Sequence, residues 1–272
     1  MAKRATSRTT GTRIRVGIGG WTYEPWRGTF YPERLPHARE LQHAASCLTT
    51  IEINGTFYRT QTPATFAKWR DETPDDFVFA VKAPRYVVQR RELAGAGDSI
   101  AKFFESGPAE LGAKLGPVLW QFAPTKKFVA SDIAAFLELL PRELDGRPLR
   151  HALEPRHESF ACVEFVDLMR KRGAAIVTAC DSEHPRIADL TADFAYLRAM
   201  GTSERAKAGY GPKALDAWAQ RARAIAAGEP LHDAALVAPA AQKKARDVFL
   251  YFISGFKARN PLAATALISR LS

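Results

Sequence analysis

The sequence predicts an α/β fold, namely a single eight-stranded parallel (β/α)8 barrel of the TIM type. Apolar, β-branched segments alternate along the chain with amphipathic segments of helix length, which indicates parallel strands joined by right-handed crossovers. Eight such strands in 272 residues match the closed barrel in number and in length. A doubly wound open sheet is the alternative, but Gly17–Trp21 lacks the Gly-x-Gly-x-x-Gly turn that usually follows its first strand.

Eight segments are predicted to be strands because they are short, apolar and rich in β-branched or aromatic residues. They are Ile14–Gly19, Thr50–Asn54, Phe77–Lys82, Pro117–Phe122, His151–Arg156, Ala174–Asp181, Phe194–Met200 and Val248–Ser254. Seven further segments are predicted to be helices because their apolar residues recur at helical spacing. They are Ala38–Cys47, Ala64–Asp71, Ser99–Leu115, Asp132–Leu140, Val163–Arg172, Pro212–Ala227 and Pro261–Leu271. Residues 184–192 give no helical pattern, so the sixth crossover is predicted to lack a clear helix.

One domain is predicted, residues 13–272, preceded by a flexible basic tail, residues 1–12. The tail lacks the apolar stretch of a secretory signal, and no apolar run reaches the roughly 18 residues of a membrane-spanning helix. We therefore expect a cytoplasmic protein without a membrane partner. Its three cysteines lie far apart, which argues against a disulfide framework and against a structural zinc site. The net charge of +10 favours anionic partners without identifying one.

Polar residues lie at the ends of six consecutive predicted strands, from the second to the seventh. Side chains on one face of a strand are two residues apart, so Glu52 shares a face with Asn54 in the second strand. In the same way, Glu154 shares a face with Arg156 in the fifth strand. The other strand-end residues are Lys82, Gln121, Asp181, Tyr196 and Arg198. Catalytic residues of such barrels come from the C-terminal strand ends, so we expect one site there. The alternative is a salt-bridge network that only closes the barrel mouth.

Acid/base chemistry is predicted for the carboxylates of this set. Carboxylates in partly desolvated, cation-rich sites can be tuned toward neutral pH, so Glu52 and Glu154 are the leading general acid/base candidates. Lys82 and Asp181 complete the predicted catalytic set.

The remaining strand-end residues are predicted to bind the substrate. The cations Arg156 and Arg198, together with Lys82, are expected to hold an anion, and Asn54 and Tyr196 are expected to orient it. The predicted substrate-binding set also contains Gln121, Tyr58 and His157, which follows Arg156 directly.

No metal and no other cofactor is predicted. Three carboxylates of the strand ends are balanced by three cations, and carboxylates that face arginines are poor ligands for a divalent cation. The alternative rests on Asp181 and His184, which, together with Glu154, are spaced like metal ligands of barrel endonucleases and sugar isomerases.

Aromatic residues fill the loop after the first strand. Trp21 and Tyr23 are predicted to stack against a sugar or a base, and the alternative is a lid of mutually packed rings. The loop after the third strand is basic, with Arg85, Arg90 and Arg91, which indicates either a solvated surface or a contact with an anion.

Glycines and cations occur together in the loops after the seventh and eighth strands, residues 201–211 and 254–260. Such loops often bind phosphate in this fold, and the second leads into a helix N-terminus. Gly201 and Lys257 are therefore predicted to contribute to anion binding.

Motifs spread over nearly the whole chain resemble the family called domain of unknown function 72, the YecE-like proteins. They are Gly17–Tyr23, Trp26–Gly28, Phe30–Pro32, Glu52–Tyr58, Phe79–Tyr86, Leu115–Phe122, Glu154–His157, Asp181–Ser182 and Thr191–Arg198. The resemblance implies an eightfold barrel, in agreement with the strand count, within a functionally uncharacterised family. The chain departs from the family pattern at Pro155, where phenylalanine is usual, and after Phe252, where Asn-Asn-Asp is common.

The leading hypothesis is an enzyme that acts on a phosphate-bearing or sugar-like small anion by metal-independent general acid/base chemistry. One alternative is a barrel protein that binds nucleic acid or cleaves phosphodiesters, which the positive charge and the aromatic loop favour. The other alternative is a non-catalytic ligand-binding barrel. A small anionic or sugar-like partner is therefore expected, and nucleic acid is the less favoured one.

Overall fold

A closed barrel of eight parallel strands forms the centre of the protein. The computed structural model describes residues 13–229 and 235–272, so the predicted tail, residues 1–12, lies outside the described residues. The strands are β1 (Ile14–Gly19), β2 (Thr50–Ile53), β3 (Val78–Lys82), β4 (Leu115–Gln121), β5 (His151–Glu154), β6 (Ala175–Cys180), β7 (Phe194–Ala199) and β8 (Asp247–Phe252). The barrel closes because β1 pairs with β8 as well as with β2. The predicted parallel eight-stranded α/β barrel is confirmed.

Helices cover the outside of the barrel, where they pack on the outward-facing side chains of the strands. They are α1 (Glu40–Cys47), α2 (Pro63–Asp71), α3 (Gly97–Glu105), α4 (Ala130–Leu139), α5 (Val163–Arg172), α6 (Pro212–Ala226) and α7 (Asn260–Leu271). One-turn helices, Gly55–Tyr58 and Arg85–Val88, directly follow β2 and β3. As predicted, the connection from β6 to β7, which is described throughout, contains no helix. None of the helices in residues 13–229 and 235–272 combines the length and the apolar character that a membrane-spanning helix needs.

The predicted helix 99–115 is wrong in its extent, because α3 ends at Glu105. Gly107 has a φ of 118°, and Pro108 after it has no backbone N–H to continue the helix. A Cβ at position 107 would lie 2.5 Å from the Cα of Pro63, so only glycine fits at this contact with α2. A 3-10 segment, Pro108–Lys114, follows, and β4 then starts at Leu115, earlier than predicted.

Several strands end one or two residues before their predicted ends. β5 ends at Glu154 because Pro155 cannot donate a hydrogen bond to the sheet. β6 ends at Cys180 because Asp181 adopts a left-handed backbone conformation with a φ of 54°. The prediction also missed a short antiparallel hairpin, Glu143–Pro148. Its turn is Asp145-Gly146, a dipeptide that favours this type of hairpin.

The inside of the barrel is filled by side chains that alternate with the outward-facing residues. These inward-facing apolar residues include Ala80, Leu119, Ala152, Val177, Phe194, Tyr196, Phe249 and Tyr251. Toward its C-terminal end β1 contributes almost no volume here, because Gly17 and Gly19 occupy the inward positions that follow Arg15. A Cβ on Gly17 would lie 1.9 Å from the carbonyl oxygen of Thr50, so β1 and β2 approach each other too closely for any side chain.

Candidate functional site

Arg198, on β7, is the centre of a buried ionic cluster at the C-terminal end of the barrel. Its side chain is 2% exposed, and it contacts two fully buried carboxylates, Glu52 on β2 and Glu154 on β5. Its Nε and Nη2 donate hydrogen bonds to Glu52 at 3.1 and 3.0 Å. Its Nη1 donates to both carboxylate oxygens of Glu154, at 2.9 and 2.7 Å. One guanidinium thus joins two strands that are not its neighbours in the sheet.

Small residues on two of the intervening strands, β6 and β1, leave space for this long side chain. Ala179 on β6 is the register partner of Arg198, between β7 and β5. On the other side, Gly19 on β1 is the register partner of Glu52. The period-two alternation places these residues on the inner face, together with Tyr251 of β8, the other register partner of Arg198. A larger side chain at position 179 would come between Arg198 and Glu154.

Two neutral side chains complete the hydrogen bonds of the carboxylates. The hydroxyl of Tyr196 donates to Glu52 at 2.7 Å, and the amide of Gln121 donates to Glu154 at 2.6 Å. Burial alone raises the pKa of Glu154, but the charges of Arg198 and Arg156 and the bond from Gln121 outweigh it and lower this pKa. Burial, and next the charge of Glu52, raise the pKa of Tyr196 well above its usual value. Glu154 therefore remains ionised, and Tyr196 remains neutral, near neutral pH.

Lys82, the last residue of β3, differs from the groups of this ionic cluster. It is 6% exposed, and its Nζ lies 4.0 Å from the centre of the Phe57 ring. Among the described residues its ammonium group makes no hydrogen bond and no ion pair. Burial, and next the charge of Arg198, lower its pKa to about 8, although Glu52 and Glu154 act in the opposite direction. Lys82 can therefore exchange a proton near neutral pH.

Arg156, beside this ionic cluster, is a further cation with unused donors. Its Nη2 donates to Glu154 at 3.3 Å, whereas its Nε is buried without a hydrogen-bond partner among the described residues. The side chain is 22% exposed, so it lies between the ionic cluster and solvent. Arg198, Arg156 and protonated Lys82 together exceed the two carboxylates by one positive charge. The site is therefore suited to an anion.

Asp181 lies outside this ionic cluster, contrary to the expectation of one site for all strand ends. It is exposed, and its carboxylate accepts a hydrogen bond from the Tyr210 hydroxyl at 3.0 Å. The same hydroxyl accepts from the backbone N–H of Gly201 at 3.0 Å, so this predicted anion donor is already bonded. A Cβ on Gly201 would lie 2.6 Å from that of Asp181, which requires glycine at this position.

The aromatic loop after β1 is mostly packed against the protein. Trp21 is half-buried, and its ring makes a T-shaped contact with that of Trp69 in α2, with the ring centres 5.1 Å apart. Trp26 is buried, and its indole N–H donates to the Lys257 carbonyl at 2.9 Å. The Nζ of Lys257 lies 4.3 Å from the centre of the Tyr23 ring, and burial lowers its pKa. Lys257 thus joins the first and last loops of the barrel.

Three predicted substrate-binding residues lie around the site rather than in it. Asn54 is half-buried beside Gly19, and its amide contacts the Glu52 carbonyl at 3.4 Å. Tyr58 is 69% exposed. The Nδ1 of His157 accepts a hydrogen bond from the backbone N–H of Ser159 at 3.1 Å, so this histidine stabilises the turn after β5.

Two residues of the site were not singled out from the sequence. Phe57 carries the ammonium group of Lys82 on its ring, and it lies within the Glu52–Tyr58 motif. Tyr251 faces the barrel interior, with its ring 5.0 Å from that of Tyr196 and its hydroxyl 2.9 Å from that of Thr50. The alternation along β8 contained the signal for Tyr251, two residues after inward-facing Phe249.

Metal ligation requires several donors that converge, and residues 13–229 and 235–272 contain no such group of three or more His, Cys, Asp or Glu. The two carboxylates of the alternative set from the sequence have other partners. Glu154 is bound by Arg198 and Gln121, whereas Asp181 is bound by Tyr210.

Known proteins of similar fold support the same architecture. The chain has a TM-score of 0.73 and 21% identity with a DUF72 family protein of Thermotoga maritima, over 95% of this chain and 99% of that one. For a DUF72 family protein of Enterococcus faecalis, the TM-score is 0.67 and the identity 17%, over 95% of each chain.

Sequence relatives agree with these structures. The UPF0759 protein YunF of Bacillus subtilis is 27% identical over 159 residues, which are 57% of this chain and 54% of that protein. The UPF0759 protein YecE of Escherichia coli K12 is 27% identical over 150 residues, or 54% of this chain and 50% of that protein. The chain thus spans about half the length of these relatives. The family model described as "Protein of unknown function DUF72" matches residues 15–272. The resemblance found in the sequence is confirmed, and the chain belongs to the DUF72 family.

Proposed function

We propose that this protein is an enzyme that binds a small phosphate-bearing or sugar-like anion at the C-terminal end of the barrel and moves a proton with Lys82. The observation that carries this proposal is the environment of Lys82. It is a buried lysine without a carboxylate partner, beside an ionic cluster that has an excess positive charge. A buried cation without a partner is unfavourable in itself, so a bound anion is the natural counter-charge.

The anion is proposed to bind between the ammonium group of Lys82 and the unpaired donors of the Arg156 guanidinium. Both side chains have donors that no described residue uses, and Arg156 is the partly exposed one of the two. Charge-assisted hydrogen bonds from these donors suit a carboxylate or a phosphate. The affinity is expected to depend on pH, because Lys82 attracts an anion only while it is protonated.

Glu52 and Glu154 are assigned a positioning role instead of acid/base catalysis. Both carboxylates bind Arg198, and the lowered pKa of Glu154 keeps this group ionised near neutral pH. The group with a pKa of about 8 is Lys82, and an acid or base is most effective when its pKa is close to the working pH. Lys82 is therefore the proton-transfer group of the proposed site.

The test is calorimetric titration of the purified full chain with inorganic phosphate and with sulfate across a range of pH. Sulfate keeps the same charge in this range, so its affinity is expected to fall as the pH rises through about 8. Lys82→Met is expected to remove this pH dependence, and Arg156→Met to weaken binding at every pH. Arg91→Met, on the exposed loop after β3, is the matched control and is expected to bind normally. Sulfate binding whose affinity does not change with pH and is the same in Lys82→Met would refute the proposal.

Nucleic-acid binding is the second candidate function, and the exposed rim of the barrel favours it. Tyr58 is 69% and Tyr86 is 37% exposed. Tyr86 directly follows the exposed Arg85, and the exposed Arg91 belongs to the same loop. Aromatic and basic side chains together suit a single strand. Affinity for an oligonucleotide held by many phosphate contacts falls steeply with salt. We expect only weak binding that disappears near physiological salt. Binding that persists at about 0.2 M salt and depends on Arg91 would favour this second function instead.

A further inference from the structure

We propose that Lys82 also acts as a nucleophile that forms an imine with a small aldehyde or ketone bearing a carboxylate or a phosphate. The inference rests on the proposed anion site and names its substrate class. It assigns covalent chemistry to a residue for which the proposed function requires only proton transfer.

A second buried lysine shows what is unusual about Lys82. Lys114 is 8% exposed, close to the 6% of Lys82. The Nζ of Lys114 donates to the carbonyl oxygens of Arg70 and Thr73, each at 2.6 Å, and contacts the Thr73 hydroxyl at 3.3 Å. The three contacts of Lys114 thus use all three N–H donors of its ammonium group, and they stabilise the end of α2. Lys82 makes no such bond, so once it loses a proton its lone pair is available for reaction.

The surroundings of Lys82 favour the neutral amine, which is the reactive form. One side of Nζ faces the Phe57 ring, and the charges of Arg198 and Arg156 act against a further positive charge. The two nearby carboxylates are already held by Arg198. Burial and a neighbouring cation are the two conditions that activate lysine for attack on carbonyl compounds. The pKa of about 8 is consistent with this geometry.

The anionic group of the substrate is expected to contact Arg156. The Nε of this residue has no partner among the described residues, and its side chain is partly exposed at the barrel mouth. The substrate must therefore carry its charge close to its carbonyl group, as α-keto acids and phosphorylated ketones do.

The chemical step balances without a further reactant. The lone pair of the amine attacks the carbonyl carbon and forms a C–N bond, while the carbonyl oxygen gains the proton that nitrogen loses. The resulting carbinolamine loses its hydroxyl group together with a proton as one water molecule, and the nitrogen lone pair forms the C=N bond. Once protonated, this imine withdraws electrons from the neighbouring carbon. Proton abstraction, aldol cleavage or decarboxylation next to a carbonyl would then be open to the enzyme.

The experiment is reductive trapping on the folded full-length protein. The protein is incubated at a pH of about 8 with pyruvate, dihydroxyacetone phosphate or acetone, reduced with sodium borohydride, and mapped by peptide mass spectrometry. We expect an adduct on Lys82 with at least one of the anionic probes, at least tenfold above that with acetone. Lys114 is the buried control and Lys102 the exposed one, and both are expected to stay largely unmodified. Lys82→Arg is expected to abolish the adduct.

The outcomes separate this inference from the proposed function, because phosphate and sulfate binding is measured on the same preparation. No Lys82 adduct with any probe, or adducts spread over lysines according to their exposure, overturns the imine chemistry. Anion binding that still depends on pH and Lys82 then keeps the proposed function. A Lys82 adduct in a protein that does not bind phosphate or sulfate supports the imine and refutes the anion site. Because the adduct is mapped to a residue of the wild-type chain, the result does not depend on whether Lys82→Arg folds.

Discussion

Replacement of Arg198 by methionine tests the ionic cluster most directly. The change removes four hydrogen bonds of 2.7–3.1 Å and leaves two fully buried carboxylates without their shared counter-charge. Breaking a buried ion pair by removal of one partner costs about 3–5 kcal/mol. With two carboxylates affected, we expect Arg198→Met to lose about 5 kcal/mol at pH 7, a large part of the roughly 5–15 kcal/mol that stabilises a typical protein.

The loss of stability caused by Arg198→Met is expected to become smaller as the pH falls. In the wild-type protein the pKa of Glu154 is lowered by folding, so stability decreases as the pH falls through that pKa. In the variant, burial of Glu154 is no longer offset by the charge of Arg198, so we expect the pKa of this carboxyl group to rise above that of the unfolded chain. The folded variant then binds more protons than the unfolded one, and its stability increases as the pH falls from 7 toward 5.

Guanidinium unfolding at pH 7 and pH 5 measures both effects, and a triple variant provides the control. The triple variant combines Glu52→Gln, Glu154→Gln and Arg198→Met, so these three positions no longer carry a buried charge. Replacement of a whole buried ion cluster by neutral residues is often close to neutral, so the triple variant is expected to recover most of the loss. A loss below about 1 kcal/mol for Arg198→Met, or one that is equal at both pH values, would refute the cluster.

Two further predictions concern Lys82 and the close approach of β1 to β2. Lowering the pKa of Lys82 from 10.5 to about 8 makes folding unfavourable by roughly 3 kcal/mol when the group is charged, so Lys82→Met is expected to stabilise the protein by about 2–3 kcal/mol at pH 7. The stability of the wild-type protein rises from pH 8 to 10.5, because the unfolded chain binds more protons than the folded one in this range. The difference in stability between Lys82→Met and the wild-type protein, measured by urea unfolding, should therefore vanish near pH 10.5. Gly17→Ala places a Cβ 1.9 Å from the Thr50 carbonyl oxygen and is expected to lower stability by roughly 3 kcal/mol or more, whereas Gly55→Ala has no atom within 4 Å and should be nearly neutral. Equal melting temperatures for the two glycine variants would contradict the register of β1.

Local patterns in the sequence were sufficient to predict the fold and to predict which side chains of each strand face the barrel interior. The alternation of apolar and polar residues depends only on the geometry of a single strand. It therefore placed Glu52, Lys82, Glu154 and Arg198 on the inner face without knowledge of their neighbours. The strand count then predicted a closed barrel, which brings the C-terminal strand ends together.

Boundaries and loops were predicted less well, for reasons that differ between them. The end of α3 had a local signal in Gly107-Pro108, and the short hairpin had one in Asp145-Gly146. The packing of Trp21 had no such signal, because its partner Trp69 belongs to a helix that only the folded chain brings near. The left-handed conformation of Asp181 is equally non-local, since it is accompanied by contacts with Tyr210 and a required Gly201.

The residue pattern was enough to predict which side chains face the barrel interior and that acidic and basic groups occur there in similar number. How these charges pair could be read only from the folded chain. Arg198 takes both Glu52 and Glu154, because Ala179 and Gly19 leave it space to span the barrel, and Lys82 is left beside Phe57. The direction in which a side chain faces follows from the geometry of one strand, whereas ion pairing and desolvation depend on distances between strands that are remote in sequence.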